Sequence, residues 1–468
     1  MAPVSACHDG GLSSSLRQPL ARRRRRAAAV CGLLACAIVL ATGAASAPAL
    51  QIAAPLGSFG APGGCVRDWS ATDLGGCPRA SSALQDAAAL ALVDRGRHVA
   101  VAAPGSDAVA FLRRTPGSGA LAHGFCVSGP GDRSCPAHAA GLHGADALAA
   151  DSGMLDVGSI DDRAVVVLRG GAQAGCVSAG PVPGCALRDR ALGHVAALAV
   201  SPDGRLVYAA TYGGDPGEDT IVALRQRTGG ARSGSPVLRP LGGPGGCAQS
   251  LGPGAARCVR VSGLQGAVAV AVSPDGRSVY AASSVSSALA QFTRNGASGA
   301  ITPAGCVGDT TSVGADDAPC ATRTPGLRGA DAVLVSPDGR SVYVASADPG
   351  AVLAFTRDPA SGALRQIAGP GGCLVAFAIA GCTTAPELRG ARALSLAPGA
   401  RELDVAAPGA DAVVPLTRDP ASGALSAPAW GPIDVPGLAG VGALASFDGE
   451  LYGASAVDGG VIALRRGT

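Results

Sequence analysis

From residue 48 onward the chain alternates short apolar runs of Val, Ala, Leu and Tyr with clusters of Gly, Pro, Asp, Ser and Arg. No stretch keeps the three-to-four-residue apolar spacing of an amphipathic helix, so strands and tight turns are expected throughout. Residues 330–364 show the plan. The run at 330–335 is apolar, Asp338-Gly339 is a hairpin turn, 341–345 and 351–356 alternate, and a strand pattern resumes at Leu364.

That plan repeats. Ser-Pro-Asp-Gly-Arg stands at 201–205, 273–277 and 336–340, with weaker copies at 94–97, 151–153, 397–399 and 448–449, which makes seven. An L-x-G-A marker precedes each copy, beginning at Leu84, Leu142, Leu192, Leu264, Leu327, Leu388 and Leu438. A third motif, TRDPASGAL, occurs identically at 356–364 and 417–425, with variants at 113–121 and 293–301. A period of this size implies units that cannot bury their apolar faces alone. Seven units of four short strands predict an all-β, seven-bladed β-propeller, with innermost strands starting near 87, 145, 195, 267, 330, 391 and 441. The last unit stops at its third strand, near 461–466. Residues 50–66 are expected to supply the fourth and so remove the free edge of the ring.

Composition supports a folded chain: hydrophobic residues make up 47%, against 70 Gly and 34 Pro. All 37 basic residues are Arg. The formal charge of +3 includes +5 from the first 47 residues, so the remainder is about −2, without the basic stripe that nucleic-acid binding needs.

Residues 22–26 are all Arg, 27–46 carry no charge, and Ala45-Ser46-Ala47 follows. This is the layout of a secretory signal peptide over 1–47, which leaves 48–468 as a single propeller domain in a secreted or cell-surface protein. An uncleaved membrane anchor is the alternative, because the apolar stretch is long enough to span a bilayer. Of 15 cysteines, three lie in the leader. The other twelve form near pairs: Cys65/Cys77, Cys126/Cys135, Cys176/Cys185, Cys247/Cys258, Cys306/Cys320 and Cys373/Cys382. With no C-x-x-C and no accompanying His, disulfides rather than zinc sites are expected.

The apolar run, SPDGR, V-Y-V-A-S and A-x-x-F-T-R together resemble the bacterial YVTN and lactonase-like seven-bladed propellers, over essentially residues 50–468. The resemblance implies a propeller and a central-channel site of the 6-phosphogluconolactonase type, in which His, Arg and Glu polarise a carbonyl and direct water. The Pro-Arg-His and Asn-Glu segments expected of such enzymes are absent, and His143 and His194 are the residues similar to the family His.

Strand parity puts the links between blades, the second-to-third-strand loops and all six cysteine pairs on one face, where the pairs are expected to rim a central funnel. The SPDGR and TRDPASGAL turns go to the other face. The variable marker position is expected to ring the channel mouth with Gln85, His143, Gly193, Gln265, Arg328, Arg389 and Ala439. The residue after the marker adds Asp146, Asp331 and Arg392. Such a mouth is polar and unequal around the ring, as an anion or lactone site requires. Residues 213–220 could hold calcium through Asp215, Glu218 and Asp219, against the plainer reading of a solvated loop. Trp69 is the candidate platform for a sugar. Two readings stand: a non-catalytic module binding a small molecule or an extracellular protein, and a lactone hydrolase using His143 or His194. A surface-anchored structural repeat is a third. A monomer is expected, with no cofactor, metal, nucleic acid or membrane span after residue 47.

Overall fold

The runs that follow the L-x-G-A markers become the innermost strands. In the computed structural model, which describes residues 64–69, 71, 77, 79–151, 153–213, 218–227, 237–251, 257–311, 320–427, 432–433 and 439–465, these are Ala89–Val93, Ala145–Asp151, His194–Val200, Ala267–Val272, Ala330–Val335, Ala393–Leu396 and Val441–Phe447. We number the blades 1 to 7 in that order. Each inner strand contacts the next, and that of blade 7 contacts that of blade 1, so the ring closes. Within each blade the first four strands run antiparallel outward, and no α-helix occurs among the described residues. The starts agree with the sequence expectation to within two residues.

Closure joins the two ends of the chain. Cys65–Asp68 pairs antiparallel with Gly460–Arg465, Cys65 opposite Ile462 and Val66 opposite Val461. The mature N-terminal segment thus completes the last blade as expected, with the described pairing on 65–68; residues 50–63 and the leader lie outside the described residues.

Six blades also carry a short fifth strand beyond the four expected. Arg79–Ser81, Ala137–His138, Leu187–Arg188, Val259–Val261, Thr322–Thr324 and Thr383–Thr384 each pair parallel with the fourth strand of their blade. A parallel neighbour requires the chain to return to the starting end of the strand it joins, and a disulfide closes each return. Cys65–Cys77, Cys126–Cys135 and Cys176–Cys185 are bonded with Cα–Cα distances of 5.5, 5.2 and 4.9 Å. Cys247–Cys258, Cys306–Cys320 and Cys373–Cys382 follow at 4.7, 5.1 and 4.8 Å. The first cysteine of each pair lies in the fourth strand, and the second (Cys77, Cys135, Cys185, Cys258, Cys320 or Cys382) stands one or two residues before the fifth. Blade 6 has no cysteine pair and, among the described residues, no fifth strand; its third strand pairs with Leu425–Ser426 and, by a bridge, Val413 with Ile433.

The core lies between blades. One buried cluster combines Leu84, Val99 and Leu112 of blade 1 with Tyr452, Ala454 and Val461 of blade 7, and the next combines blades 1 and 2. Polar clamps reinforce these boundaries on the face of the SPDGR turns. The fully buried Arg357 of blade 5 donates from Nε to the Tyr280 hydroxyl of blade 4 at 2.9 Å, and from its other nitrogens to Gly339 O and the Asp275 carboxylate. Tyr280 in turn donates to Gly362 O in the TRDPASG turn of blade 5 at 2.6 Å. The same arrangement joins Arg294 to Tyr208, Arg418 to Tyr343 and Arg114 to Tyr452. The Tyr of each V-Y pair, the Asp of SPDGR and the Arg of T-R therefore belong to one contact that spans neighbouring blades.

Candidate functional site

The face opposite the clamps carries the blade-to-blade links. Here each marker performs a packing task. Its Leu is fully buried in blades 1 to 6, and its Gly has positive φ in five blades, +70° at Gly266, where an added Cβ would meet Val285 at 2.6 Å. The marker N–H is then held by the preceding blade: Gly144 N donates to Asp107 Oδ1 at 2.7 Å, Gly266 N to Asp219 Oδ1 at 2.9 Å and Gly440 N to Asp411 Oδ1 at 3.2 Å.

The residue after the marker sits at a β-bulge. In blade 2, Ala145 pairs with Ser159 and Ala147 with Gly158, so Asp146 has no cross-strand partner; Ala196, Val268, Asp331 and Gly442 occupy the same slot in blades 3, 4, 5 and 7. A bulge re-aims its extra side chain. Two of these side chains, Asp146 and Asp331, share Arg392, which stands just before the inner strand of blade 6. Arg392 of blade 6 donates from Nε to Asp331 Oδ2 of blade 5 at 2.6 Å, and its charge also reaches Asp146 of blade 2. Burial pushes the Asp146 carboxyl up to about 6, against the opposing pull of Arg392. Tyr212 joins this cluster: its ring lies over His194, centroids 5.5 Å apart, and its hydroxyl is pushed up by burial and then by Asp146 and Asp161.

The variable marker residues point elsewhere. His143 Nδ1 lies 3.4 Å from Asp107, Arg328 pairs with Asp348 at 2.7 Å, and Arg389 Nε donates to Gly409 O at 2.6 Å. Each is thereby held on a second-to-third-strand loop. No hydrogen bond or ion pair links His143 or His194 to Arg328, Arg389 or Arg392 among the described residues. The site therefore gathers Asp146, Asp331, Arg392 and His194 of the sequence candidates and adds Tyr212 and Asp161, which sequence reasoning missed. The sign for Tyr212 was strand register, since it faces His194 across the hairpin.

The disulfides do not border this mouth. Cys126–Cys135, Cys176–Cys185, Cys247–Cys258 and Cys373–Cys382, like the other two pairs, tie a fourth strand to a fifth, and those strands are the outermost of their blades. They brace the outer margin of the face rather than a central funnel, because the long link that needs closing begins where the fourth strand ends.

The acidic loop at 213–220 is already engaged. Glu218 pairs with Arg163 and Asp219 holds the Gly266 N–H; Asp215 lies outside the described residues. No group of side chains suited to a metal occurs among the described residues. Nor is any described helix long and apolar enough to cross a membrane. Trp69 is 61% exposed, in the loop closed by Cys65 and Cys77.

No family model matches the chain, and no curated protein does. Solved structures do. A periplasmic gluconolactonase from Pseudomonas aeruginosa is 22% identical, with 74% of this chain and 86% of that one covered and a TM-score of 0.48. A putative 6-phosphogluconolactonase from Bacteroides fragilis is 16% identical over 74% and 84%, also at 0.48. Hydrazine synthase from Kuenenia stuttgartiensis is 13% identical over 83% and 97%, at 0.50. At these identities and scores the likeness says nothing of the activity; the β-propeller is shown by the chain's own seven sheets.

Proposed function

We propose that the protein is an exported binding module whose cysteine-braced face is its working surface. One observation carries this reading. The large hydrophobic residues exposed among the described residues are Trp69, Tyr212, Val285, Phe377 and Val457, and all five lie on that face. Trp69 and Phe377 occupy disulfide-closed loops, Val285 and Val457 occupy second-to-third-strand loops, and Tyr212 ends the second strand of blade 3. Apolar side chains gathered on one face, around a charged mouth, mark a surface that meets a partner. Six disulfides suit such loops to an oxidising compartment, and the leader at 1–47 supplies the route there. The partner is a small molecule or an extracellular protein that presents a charged group to Asp146, Asp331 and Arg392.

A second reading has its own support. A carboxyl raised to about 6, whose charge is felt by the Tyr212 hydroxyl, is suited to general acid/base work on a lactone. Two measurements separate the readings. A photo-crosslinking residue placed at 377 or 457 is expected to trap a partner in cells producing the protein, whereas one placed at 277 or 340, on the opposite face, traps none. Equal trapping on both faces overturns the proposal. Hydrolysis of a panel of simple and sugar lactones by the oxidised protein, abolished in His194→Ala and Asp146→Asn, establishes the hydrolase instead.

A further inference from the structure

Four boundaries carry the tyrosine–arginine clamp among the described residues; the boundary between blades 1 and 2 does not, and a cleft lies between its turns. Blade 1 has Ala100 where blades 3, 4, 5 and 7 place the clamp tyrosine in their second strands. In blade 2, Gly170 stands one residue beyond Arg169, in the register that Arg114, Arg294, Arg357 and Arg418 occupy at the ends of their third strands. The turn carboxylate is replaced as well: three residues before the second strand, where Asp203, Asp275 and Asp338 stand elsewhere, blade 1 has Arg95. The boundary between blades 2 and 3 keeps a substitute, with Gln226 Nε2 donating to both oxygens of Asp156 at 2.9 and 3.1 Å. Only between blades 1 and 2 are the tyrosine, the arginine and the carboxylate all lost among the described boundaries.

The space between those two turns is a cleft of about 820 Å³. Its walls are the ends of two inner strands, Leu92, Val93, Ala150 and Asp151, together with Gly153 and Met154, so one carboxylate shares the otherwise apolar wall. Arg95 and Arg97 stand on its rim, both exposed. Neither guanidinium has a hydrogen bond or an ion pair among the described residues, whereas Asp94 on the same rim is engaged with His98 at 2.9 Å. Arg95 is held at φ +58°, an unusual conformation for a residue with a side chain. A cleft of this size with an apolar wall and two free guanidiniums has the makings of a small-molecule site.

We propose that this cleft, on the face away from the channel mouth, binds a small amphipathic organic acid, its hydrocarbon body against Leu92, Ala150 and Met154 and its carboxylate on Arg95 and Arg97. The test uses octanoate and octanol with the purified oxidised protein, followed by isothermal calorimetry. Octanoate is expected to bind saturably with one site, and octanol about tenfold more weakly. Arg95→Glu with Arg97→Glu reverses the rim charge at exposed positions and is expected to weaken octanoate at least tenfold while leaving octanol unchanged. Ala150→Trp fills the cleft and is expected to abolish both, with far-UV circular dichroism confirming the fold; if that variant unfolds, Met154→Ala, which removes wall surface, is expected to weaken both ligands instead. Absence of saturable octanoate binding, equal affinity for the two ligands, or octanoate binding untouched by the rim variant overturns the proposal.

Discussion

Two carboxyl groups stand where the repeat elsewhere places a phenol. Asp156 and Asp404 occupy the slot of Tyr208, Tyr280 and Tyr343, and burial pushes each up to about 8, against the pull of Gln226 on the first and Ser446 on the second. The unfolded chain ionises the same groups near 3.9. Between about pH 4 and 8 the unfolded state therefore binds fewer protons than the native state, and stability falls as pH rises. The contribution is complete below the unfolded value and lost once pH passes the folded one. Asp156→Asn and Asp404→Asn keep the shape without the titration. The decline of the thermal midpoint from pH 5 to 8 is expected to flatten in each variant, most in the double one; an unchanged slope means the groups are ionised in the native state. Asp146 obeys the same physics less strongly, because it sits at the open mouth with Arg392 across from it.

At the scale of the element, the repeated motifs are one device read in pieces. Sequence comparison isolates SPDGR, V-Y and T-R as separate marks of hairpin chemistry, and in part they are: Gly339 N donates to Ser336 O at 2.8 Å, and the Ser336 hydroxyl meets Asp338 at 2.5 Å. What joins them is the neighbouring blade. Arg357→Ala leaves the Tyr280 hydroxyl, Gly339 O and the Asp275 carboxylate short of a donor, and is expected to cost about 3 kcal/mol in denaturant unfolding. Tyr280→Phe removes one hydroxyl and is expected to cost about 1 kcal/mol. Because the two share a hydrogen bond, the double variant is expected to cost less than both together; strict additivity would mean that the clamp does not act as a unit.

For the whole molecule, closure is the vulnerable step. Six boundaries join blades consecutive in sequence, whereas blade 7 is completed by Cys65–Asp68 from the other end of the chain. Cys65–Cys77 and Cys306–Cys320 close loops of similar size, with separations of 12 and 14, so chain entropy assigns each about 3 kcal/mol. Replacing Cys65 and Cys77 by Ser is nonetheless expected to lower the thermal midpoint further than replacing Cys306 and Cys320, since only the first pair braces the segment that shuts the ring. The reverse order in calorimetry would show closure to be held elsewhere, in the core shared by blades 7 and 1.

The sequence by itself determined the number of blades, the order of strands, the cysteine pairing and which loops share a face. Those follow from local spacing: a period-two strand, a turn residue with positive φ and a short cysteine separation each act over a few residues, and the repeat copies them seven times. Tertiary structure decided which residues meet. Asp146, Asp331 and Arg392 come from three different blades; a bulge re-aims the first two, and Arg392, just before the inner strand of blade 6, bonds Asp331 and reaches Asp146, while Arg328 and Arg389, in an equally repeated slot, are turned onto loops. Likewise, the loss of Tyr and Arg at Ala100 and Gly170, 70 residues apart in the chain, removes one clamp only because the two positions belong to neighbouring blades, whose turns border the cleft. Spacing along a chain specifies a repeat; closing the ring is what brings unlike residues of distant repeats into one field.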